Sequence, residues 1–347
     1  MTTYLDRVVV ALRSGTAVPS GPADWCAAPD VIARALPSDA RVLLVTPGFA
    51  ESRHVVGLVM DAGGRLCSVL KVPRSLRDDQ AVVHEATVLR RLAATAPQLV
   101  GTTPEILACT TVGSRRVLLE TPLVGEPLSH ARVRIDPAAR DGVLAWVDGL
   151  PVTGEWSGAE LLDALLEPGL RRLEALLPAE HALHATIAAT REQVVPLRER
   201  MLPAVFEHGD PAHPNILVLG AGGGSVGLVD WELGLERGVA GHDLAQLLAF
   251  LAFAEAGVHG VHAEVPVFER ELVDPEGPAR RMLVEHVSRR GAADVEPALF
   301  VLAWARAALR ILDRLAAVDD GDEVARVGAV EASRNVALWR SAAAPRG

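Results

Sequence analysis

The chain has 347 residues, half of them hydrophobic and 22% charged, which excludes a disordered tail or linker and supplies enough apolar side chains for a sizeable core. Residues 1–122 hold 13 basic and 11 acidic side chains (+2), whereas residues 123–347 hold 21 basic and 33 acidic ones (−12), for a net charge of −10. The acidic second part disfavours nucleic acid as a partner and suits a cationic ligand, although a solvated acidic surface explains it equally well.

Membrane and secretion signals are not evident in the sequence. No stretch offers the about 20 largely uncharged residues that a spanning helix needs, and Asp6 and Arg7 stand where a secretory peptide has an apolar run. The three cysteines, Cys26, Cys67 and Cys109, are odd in number and widely spaced, without metal-ligand pairing. Reduced thiols are the simplest interpretation, so we expect a cytoplasmic protein that binds no membrane.

The lysine content is the sharpest feature of the composition. Of 34 basic residues, 33 are arginine and only Lys71 is lysine. A lysine that remains where arginine is otherwise used everywhere indicates a position that needs a compact ammonium group rather than a planar guanidinium. Chance survival on the surface is the alternative.

The first third of the chain predicts mostly strands. Apolar runs at 41–46, 55–60 and 66–72 have strand character, and Lys71 lies near the end of the third. A helix follows, capped by Asp78 or Asp79, and Glu85 lies on it 14 residues after Lys71. Its apolar face recurs at helical spacing through Val82, Ala86, Leu89 and Leu92. A further strand is predicted at 117–120.

The rest of the chain predicts mostly helices. Residues from 123 to about 200 have a helical pattern, and short strands at 216–219 and 226–229 flank a glycine-rich turn that indicates a hairpin. The later predicted helices cover residues 242–256, 278–290, 297–317 and 323–340. Segregated strands and helices predict an α+β fold with a strand-rich N-terminal lobe, residues 1–122, and a helix-rich C-terminal lobe, residues 123–347.

The chemically informative stretch is Glu-His-Gly-Asp-Pro-Ala-His-Pro-Asn at residues 207–215, followed by Leu-Val-Asp-Trp-Glu at 228–232. Phosphoryl transfer from a magnesium nucleotide needs a carboxylate for the acceptor hydroxyl, oxygen ligands for Mg²⁺ and a cation on the phosphates. Asp210 with Asn215 five residues later, and Asp230 after the hairpin, supply such oxygens.

These residues keep the order and spacing of the protein-kinase pattern, in which a strand lysine and a helix glutamate precede HRDxxxxN and DFG. Gly209 stands in the arginine place, and Asp230-Trp231-Glu232 stands in the DFG place. In both departures the chain resembles the aminoglycoside phosphotransferase and choline kinase superfamily, from about residue 40 to about residue 255. The resemblance implies a bilobal protein-kinase-like fold and a small-molecule phosphotransferase.

The resemblance also implies roles for individual residues. Asp210 would be the catalytic base, Asn215 and Asp230 would bind Mg²⁺, and Lys71 would contact the α- and β-phosphates while Glu85 holds it. For loop support it implies Asp243 as a brace of the catalytic loop, and His208 is expected to prop the same loop.

Nucleotide binding is expected at two further places. The segment from Glu120 through Thr121 to Leu123 resembles the hinge that reads adenine, with Leu123 as the donor because Pro122 lacks an N–H. The segment 47–54 stands where a phosphate-covering loop is expected, with Gly48 as its one glycine and Ser52 as a candidate hydrogen-bond donor; an ordinary hairpin turn is an equal interpretation of Ser52.

The function expected from these patterns is transfer of the γ-phosphoryl group of ATP or GTP to a hydroxyl of an antibiotic-like or other natural-product acceptor, with antibiotic resistance as one outcome. A primary-metabolic sugar or amino-alcohol kinase is an alternative that the sequence barely separates from it. A non-catalytic kinase-like binding protein would be expected to lack one of Lys71, Asp210, Asn215 or Asp230, and all four are present. The oligomeric state is left open.

Overall fold

The structure is a computed structural model that describes residues 11–12, 25–45, 54–74, 79–220, 224–315 and 323–345. The predicted loop residues Gly48 and Ser52 lie outside these ranges, as does Asp78. Chain contacts group the protein into two compact units: Met1–Glu126 with Asn215–Gly234, and Pro127–Pro214 with Leu235–Gly347. The predicted boundary between the two lobes, at residues 122 and 123, stays a prediction. The contacts within the chain also group Asn215–Gly234 with the first unit.

The first unit contains a six-stranded antiparallel sheet in the order β1-β5-β6-β4-β3-β2. Its strands are β1 (Trp25–Cys26), β2 (Arg41–Val45), β3 (His54–Met60), β4 (Leu66–Pro73), β5 (Ile106–Val112) and β6 (Arg115–Glu120). Helix α1 (Pro29–Ala35) contributes Ile32 to the same apolar cluster as Leu70 and Val72. Because side chains alternate along a strand, Lys71 projects from the other face of β4.

Helix α2 (Asp79–Thr95) follows β4 and confirms the predicted helix. The four apolar residues of its predicted face are buried, and Glu85 is buried with them. The predicted hairpin is confirmed as β10 (Ile216–Leu219) and β11 (Ser225–Leu228), and the short strand β7 (Gly125–Pro127) lies beside β10 in a three-stranded sheet.

The second unit is rich in helices around a three-stranded sheet in the order β12-β9-β8. The sheet is formed by β8 (Val152–Ser157), β9 (Met201–Glu207) and β12 (Leu235–Val239). The helices before the sheet's last strand are α3 (His130–Ile135), α4 (Pro137–Asp148), α5 (Gly158–Leu165), α6 (Glu167–Leu176) and α7 (Leu183–Gln193). The later ones are α8 (His242–Ala256), α9 (Val261–Phe268), α10 (Pro278–Arg289), α11 (Glu296–Leu309), α12 (Ile311–Leu315), α13 (Glu323–Glu331) and α14 (Arg334–Ala342).

Several predictions about this unit need correction. The uniformly helical pattern predicted from 123 to about 200 is wrong at β8, whose backbone pairs with β9 far along the chain. The predicted helix 297–317 is divided at Arg310, and the predicted helix 323–340 is divided before Arg334 by Ser333, whose backbone is extended (φ −69°, ψ 122°). The helix predicted at 242–256 is confirmed as α8.

Among the residues that the structure describes, no single helix is long and apolar enough to cross a membrane. The segments His242–Ala256 and Val261–Val273 satisfy length and composition only as a pair, and they are bent by 112° relative to each other.

Candidate active site

The predicted functional residues fall into two groups, one in each compact unit. In the first unit, Lys71 Nζ lies 2.5 Å from Glu85 Oε1, 3.5 Å from Asp230 Oδ1 and 3.6 Å from Glu120 Oε1. Lys71, Glu85 and Glu120 are almost completely buried, at 5%, 0% and 3% exposure. The sole lysine is therefore a buried cation among three carboxylates rather than a surface residue that escaped replacement.

Burial and charge act against each other in this cluster. Burial alone would lower the pKa of Lys71, but Glu120, Glu85 and Asp230 outweigh it and hold that pKa well above its usual value. Burial raises the pKa of Glu120 to about 8 in spite of Lys71. Burial likewise raises the pKa of Glu85, against the lowering effect of Lys71. Lys71 is thus charged at neutral pH, and Glu120 loses its proton at a higher pH than an ordinary glutamate does.

Glu85 connects Lys71 to the loop that follows β11. The backbone N–H of Trp231 donates to Glu85 Oε1 over 3.0 Å, and the buried Trp231 indole donates to Leu228 O over 3.1 Å. Asp230 has φ 68°, the one positive φ outside glycine among the described residues. Aspartate tolerates this left-handed conformation better than most residues, and such a backbone persists only where its surroundings impose it.

Asn215 and Asp230 flank the paired end of the hairpin. Ile216 pairs with Leu228 in the register of β10 and β11, and Val229 N–H donates to Asn215 O over 3.0 Å. Asn215 is buried at 8% exposure, whereas the Asp230 side chain is 42% exposed. The hairpin therefore brings an amide residue and a carboxylate residue to the same end, the oxygen donors that suit Mg²⁺.

The predicted hinge is anchored to the segment before β5. Thr121 N–H donates to Glu105 O over 2.9 Å, and Glu105 N–H donates to Thr121 Oγ1 over 2.8 Å. Leu123 is half-buried in the same unit. The Glu120 side chain lies on the Lys71 face of the sheet, because Glu120 pairs with Val69 in the strand register.

In the second unit, Asp243 holds the loop that carries Asp210. Asp243 is on the first turn of α8, and its carboxylate accepts the N–H of His208 over 2.6 Å and of Gly209 over 2.9 Å. His208 is fully buried, and its Nδ1 accepts the N–H of Asp210 over 3.2 Å. Asp210 itself remains 45% exposed on its side chain. The loop is thus fixed through its backbone, while the Asp210 carboxylate is accessible.

Sequence reasoning missed a charged network next to this loop. Arg306 of α11 donates to both oxygens of buried Glu207, over 2.7 and 2.8 Å. Burial would raise the pKa of Glu207, but Arg306 and neighbouring donors lower it to about 2. His242 Nε2 lies 2.8 Å from Arg310 Nη2, and burial holds the pKa of His242 well below its usual range. The imidazole is therefore neutral and accepts the arginine N–H.

Arg310 reaches Asp210 from the break between α11 and α12. Its Nη1 lies 4.0 Å from Asp210 Oδ1 and donates to Gln246 Oε1 over 3.1 Å. Gln246 in turn donates to Gly209 O over 3.2 Å. The sequence did contain a signal for this network: two arginines, Arg306 and Arg310, lie four residues apart in the apolar run 298–318. Because a charged residue in a buried helix requires a partner, these arginines indicate nearby polar or acidic groups.

Residues 58–264, more than half of the chain, match the model of the Phosphotransferase enzyme family (APH). No curated protein sequence matches the chain significantly.

Two solved structures are similar at the level of the fold. A candidate aminoglycoside phosphotransferase from Ralstonia eutropha JMP134 has a TM-score of 0.53 and 12% identity, covering 97% of this chain and 98% of that one. An ethanolamine kinase from Plasmodium vivax has a TM-score of 0.53 and 12% identity, covering 85% of this chain and 82% of that one. These likenesses confirm the predicted bilobal, protein-kinase-like α+β fold, and the family match over residues 58–264 shows that the chain belongs to the phosphotransferase enzyme family.

Proposed function

We propose that the chain is a kinase that transfers the γ-phosphoryl group of ATP or GTP to a hydroxyl of a small molecule. The observation that carries the proposal is the buried Lys71–Glu85 ion pair, formed by the only lysine in a member of a phosphotransferase family. Burying two charges costs free energy. A chain that otherwise uses arginine retains this lysine where its Nζ lies within 3.6 Å of three carboxylates.

Lys71 would bind the nucleotide phosphates. Its ammonium group carries three N–H donors, and the contact to Glu85 sets its direction before any ligand arrives. Because Glu85 also accepts the N–H of Trp231, the position of Lys71 is linked to that of Asp230. A fixed cation of this kind stabilises charge that develops on the transferred group without rearranging during the reaction.

Asn215 and Asp230 would hold Mg²⁺. The observation in favour is the hairpin register that places both at one end, with the Asp230 carboxylate partly exposed. When bound, Mg²⁺ would neutralise negative charge on the phosphates. The positive φ of Asp230 sets the direction in which its carboxylate leaves the backbone.

Asp210 would orient the acceptor hydroxyl and receive its proton. In the reaction, the acceptor oxygen forms a bond to the γ-phosphorus, and the bond from that phosphorus to the β–γ bridging oxygen breaks. The proton of the hydroxyl passes to Asp210, and no phosphoenzyme forms. The exposed Asp210 carboxylate on a loop held by Asp243 suits this role.

The class of acceptor is proposed from the net charge of residues 123–347 and from the phosphotransferase family to which the chain belongs. We favour an antibiotic-like or other natural-product alcohol, with a primary-metabolic sugar or amino alcohol as the alternative. The excess of acidic side chains in residues 123–347 supports a cationic acceptor.

The test is a turnover screen with aminoglycosides, other natural-product antibiotics, sugars and amino alcohols, with ATP and GTP as donors. Acceptor-dependent nucleoside diphosphate release should coincide with a product heavier by one phosphoryl group in mass spectrometry. Asp210→Asn should lower that turnover by a factor on the order of 100 or more while nucleotide affinity stays close to normal. The control is Asp163→Asn, since this side chain is 68% exposed. Near-normal turnover by Asp210→Asn would remove Asp210 from the assigned role.

A further inference from the structure

Two arginines at the end of α11 lie beside two carboxylates at the end of β9. Arg306 and Arg310 are four residues apart, and Arg310 keeps a helical backbone (φ −59°, ψ −21°), so both side chains leave the same side of the chain. Arg306 binds both oxygens of Glu207, the last residue of β9. Asp210 follows three residues later and lies beside Arg310. The pair of Arg306 and Glu207 therefore fixes the place from which Arg310 approaches the loop.

Two residues of α8 hold the Arg310 guanidinium. Its Nη2 donates to His242 Nε2 over 2.8 Å, and its Nη1 donates to Gln246 Oε1 over 3.1 Å. His242 is fully buried, and the Gln246 amide also donates to Gly209 O over 3.2 Å. The Arg310 side chain is only 18% exposed. The cation thus has a fixed position relative to the loop before any substrate binds.

Asp210 is the main opposite charge beside Arg310. Burial lowers the pKa of Arg310, and the Asp210 charge raises it more than Glu207 or Asp243 does. The 4.0 Å between Arg310 Nη1 and Asp210 Oδ1 is longer than a hydrogen bond. At this distance the attraction orients the carboxylate, while the carboxylate oxygens remain able to accept the proton of a hydroxyl.

We propose that Arg310 is a positioning residue for the reaction, because it holds the Asp210 carboxylate in the direction from which Asp210 receives the proton of the acceptor hydroxyl. The inference rests on the proposed function, in which Asp210 is the base. The competing explanation is a structural role, in which Arg310 only fastens the end of α11 to α8. The two explanations differ in one respect. A positioning residue acts through Asp210, so its effect on turnover must disappear when Asp210 is replaced.

The kinetic test is a double-mutant cycle with Asp210→Asn, with product formation followed by mass spectrometry. Arg310→Gln should lower kcat on the order of 30-fold, as expected for a misplaced reacting group, while the nucleotide KM stays within about twofold. Arg310→Lys keeps the positive charge and should lose about fivefold or less. In the Asp210→Asn background neither substitution should lower kcat further.

The matched control is Arg200→Gln, since Arg200 is an exposed arginine of the same unit that pairs with Asp294. Its kcat should equal that of the parent in both backgrounds. If Arg310→Gln fails to fold, the cycle with Arg310→Lys replaces it. Equal losses of kcat with and without the Asp210 carboxylate, or a loss confined to the nucleotide KM, would overturn the proposal.

A second measurement needs neither turnover nor a known acceptor. The ¹⁵N signal of Arg310 Nε, assigned by its loss in Arg310→Lys, should shift in Asp210→Asn because a neighbouring charge is removed. It should stay unchanged in Asp163→Asn, whose side chain is 68% exposed in wild type. An Arg310 signal that is indifferent to Asp210→Asn overturns the proposal whatever the kinetics show. A shifted signal in a wild-type protein without acceptor-dependent turnover would support the contact and overturn the proposed function instead.

Discussion

The surroundings of Lys71 explain why arginine does not replace it. Three carboxylates lie within 3.6 Å of a single nitrogen, and the side chain is nearly fully buried. A guanidinium group is larger and planar, and it spreads its charge over a fork of five N–H donors. It would have to displace Glu85 or Glu120 to enter this space.

Lys71→Arg should therefore reduce turnover on the order of 100-fold, as expected when a fixed charge aimed at the transferred group is misplaced. The melting temperature should fall only modestly, because the positive charge is kept although the larger group overpacks a buried site. Steady-state kinetics and thermal unfolding on the same preparation measure the two effects. A fully active Lys71→Arg enzyme would show that the position tolerates either cation.

Glu120 predicts an unusual dependence of stability on pH. A glutamate in an unfolded chain titrates near about 4.3, whereas burial raises the pKa of Glu120 to about 8 in the folded protein. Because the folded form keeps its proton to higher pH, the stabilising contribution is complete below about pH 4 and is lost as the pH rises through about 8.

Glu120→Gln replaces the protonated acid by a neutral amide of similar shape. Its melting temperature should fall less than that of wild type between about pH 6 and about pH 9. The control is Glu105→Gln, an exposed glutamate of the same unit, which should follow wild type. Parallel melting curves for wild type and Glu120→Gln would contradict a raised pKa of Glu120.

At the scale of elements, the packing of α5 against the segment before β9 depends on its first residue. A Cβ added to Gly158 would lie 1.7 Å from the backbone oxygen of Leu197. Gly158 N–H also donates to Arg200 O over 2.8 Å, which holds the two segments close. Only glycine leaves room for this approach.

Gly158→Ala should consequently destabilise the protein by about 1–3 kcal/mol, the usual cost of overpacking. Gly224→Ala is the matched control, because a Cβ there has no neighbour within 4 Å, and its effect should stay within about 0.5 kcal/mol. Urea unfolding of both variants measures the difference. Equal stability of the two would indicate that Leu197 can move away from α5 at little cost.

Local signals allowed some elements to be predicted and not others. The hairpin of β10 and β11 and the helix α8 follow from turn residues and from apolar runs within a few residues of one another. The strand β8 could not be found in this way, because it is paired with β9 through residues about 50 positions later, as Val152 with Val205 shows. Pairing across such a separation overrides local propensity.

In the candidate active site, too, contacts between residues that are distant in sequence could not be predicted. Lys71, Asp210 and Asp230 could be proposed from the sequence because the kinase motif has particular residue types at particular spacings. Arg310 could not be assigned, because it follows Asp210 by 100 residues and belongs to no motif. Its contact with Gln246 and its 4.0 Å distance from Asp210 come from the packing of α11 and α8.

For the whole molecule, the family match and the order of the motif residues along the chain both indicate phosphoryl transfer. The match spans residues 58–264, and Lys71, Glu85, Asp210, Asn215 and Asp230 all lie within it. In the proposed kinase, the ammonium group of Lys71 contacts the phosphates of the nucleotide.

The most direct measurement labels amines with an acylating analogue of ATP and maps the modified peptides. Since Lys71 is the only lysine, the label can attach only there or at the N-terminal amine. We expect modification of Lys71 that excess magnesium ATP suppresses, with the N-terminal amine as an internal control that nucleotide does not protect. Labelling of Lys71 that is indifferent to nucleotide, or labelling of the N-terminal amine alone, would contradict the assignment of Lys71 to the phosphates.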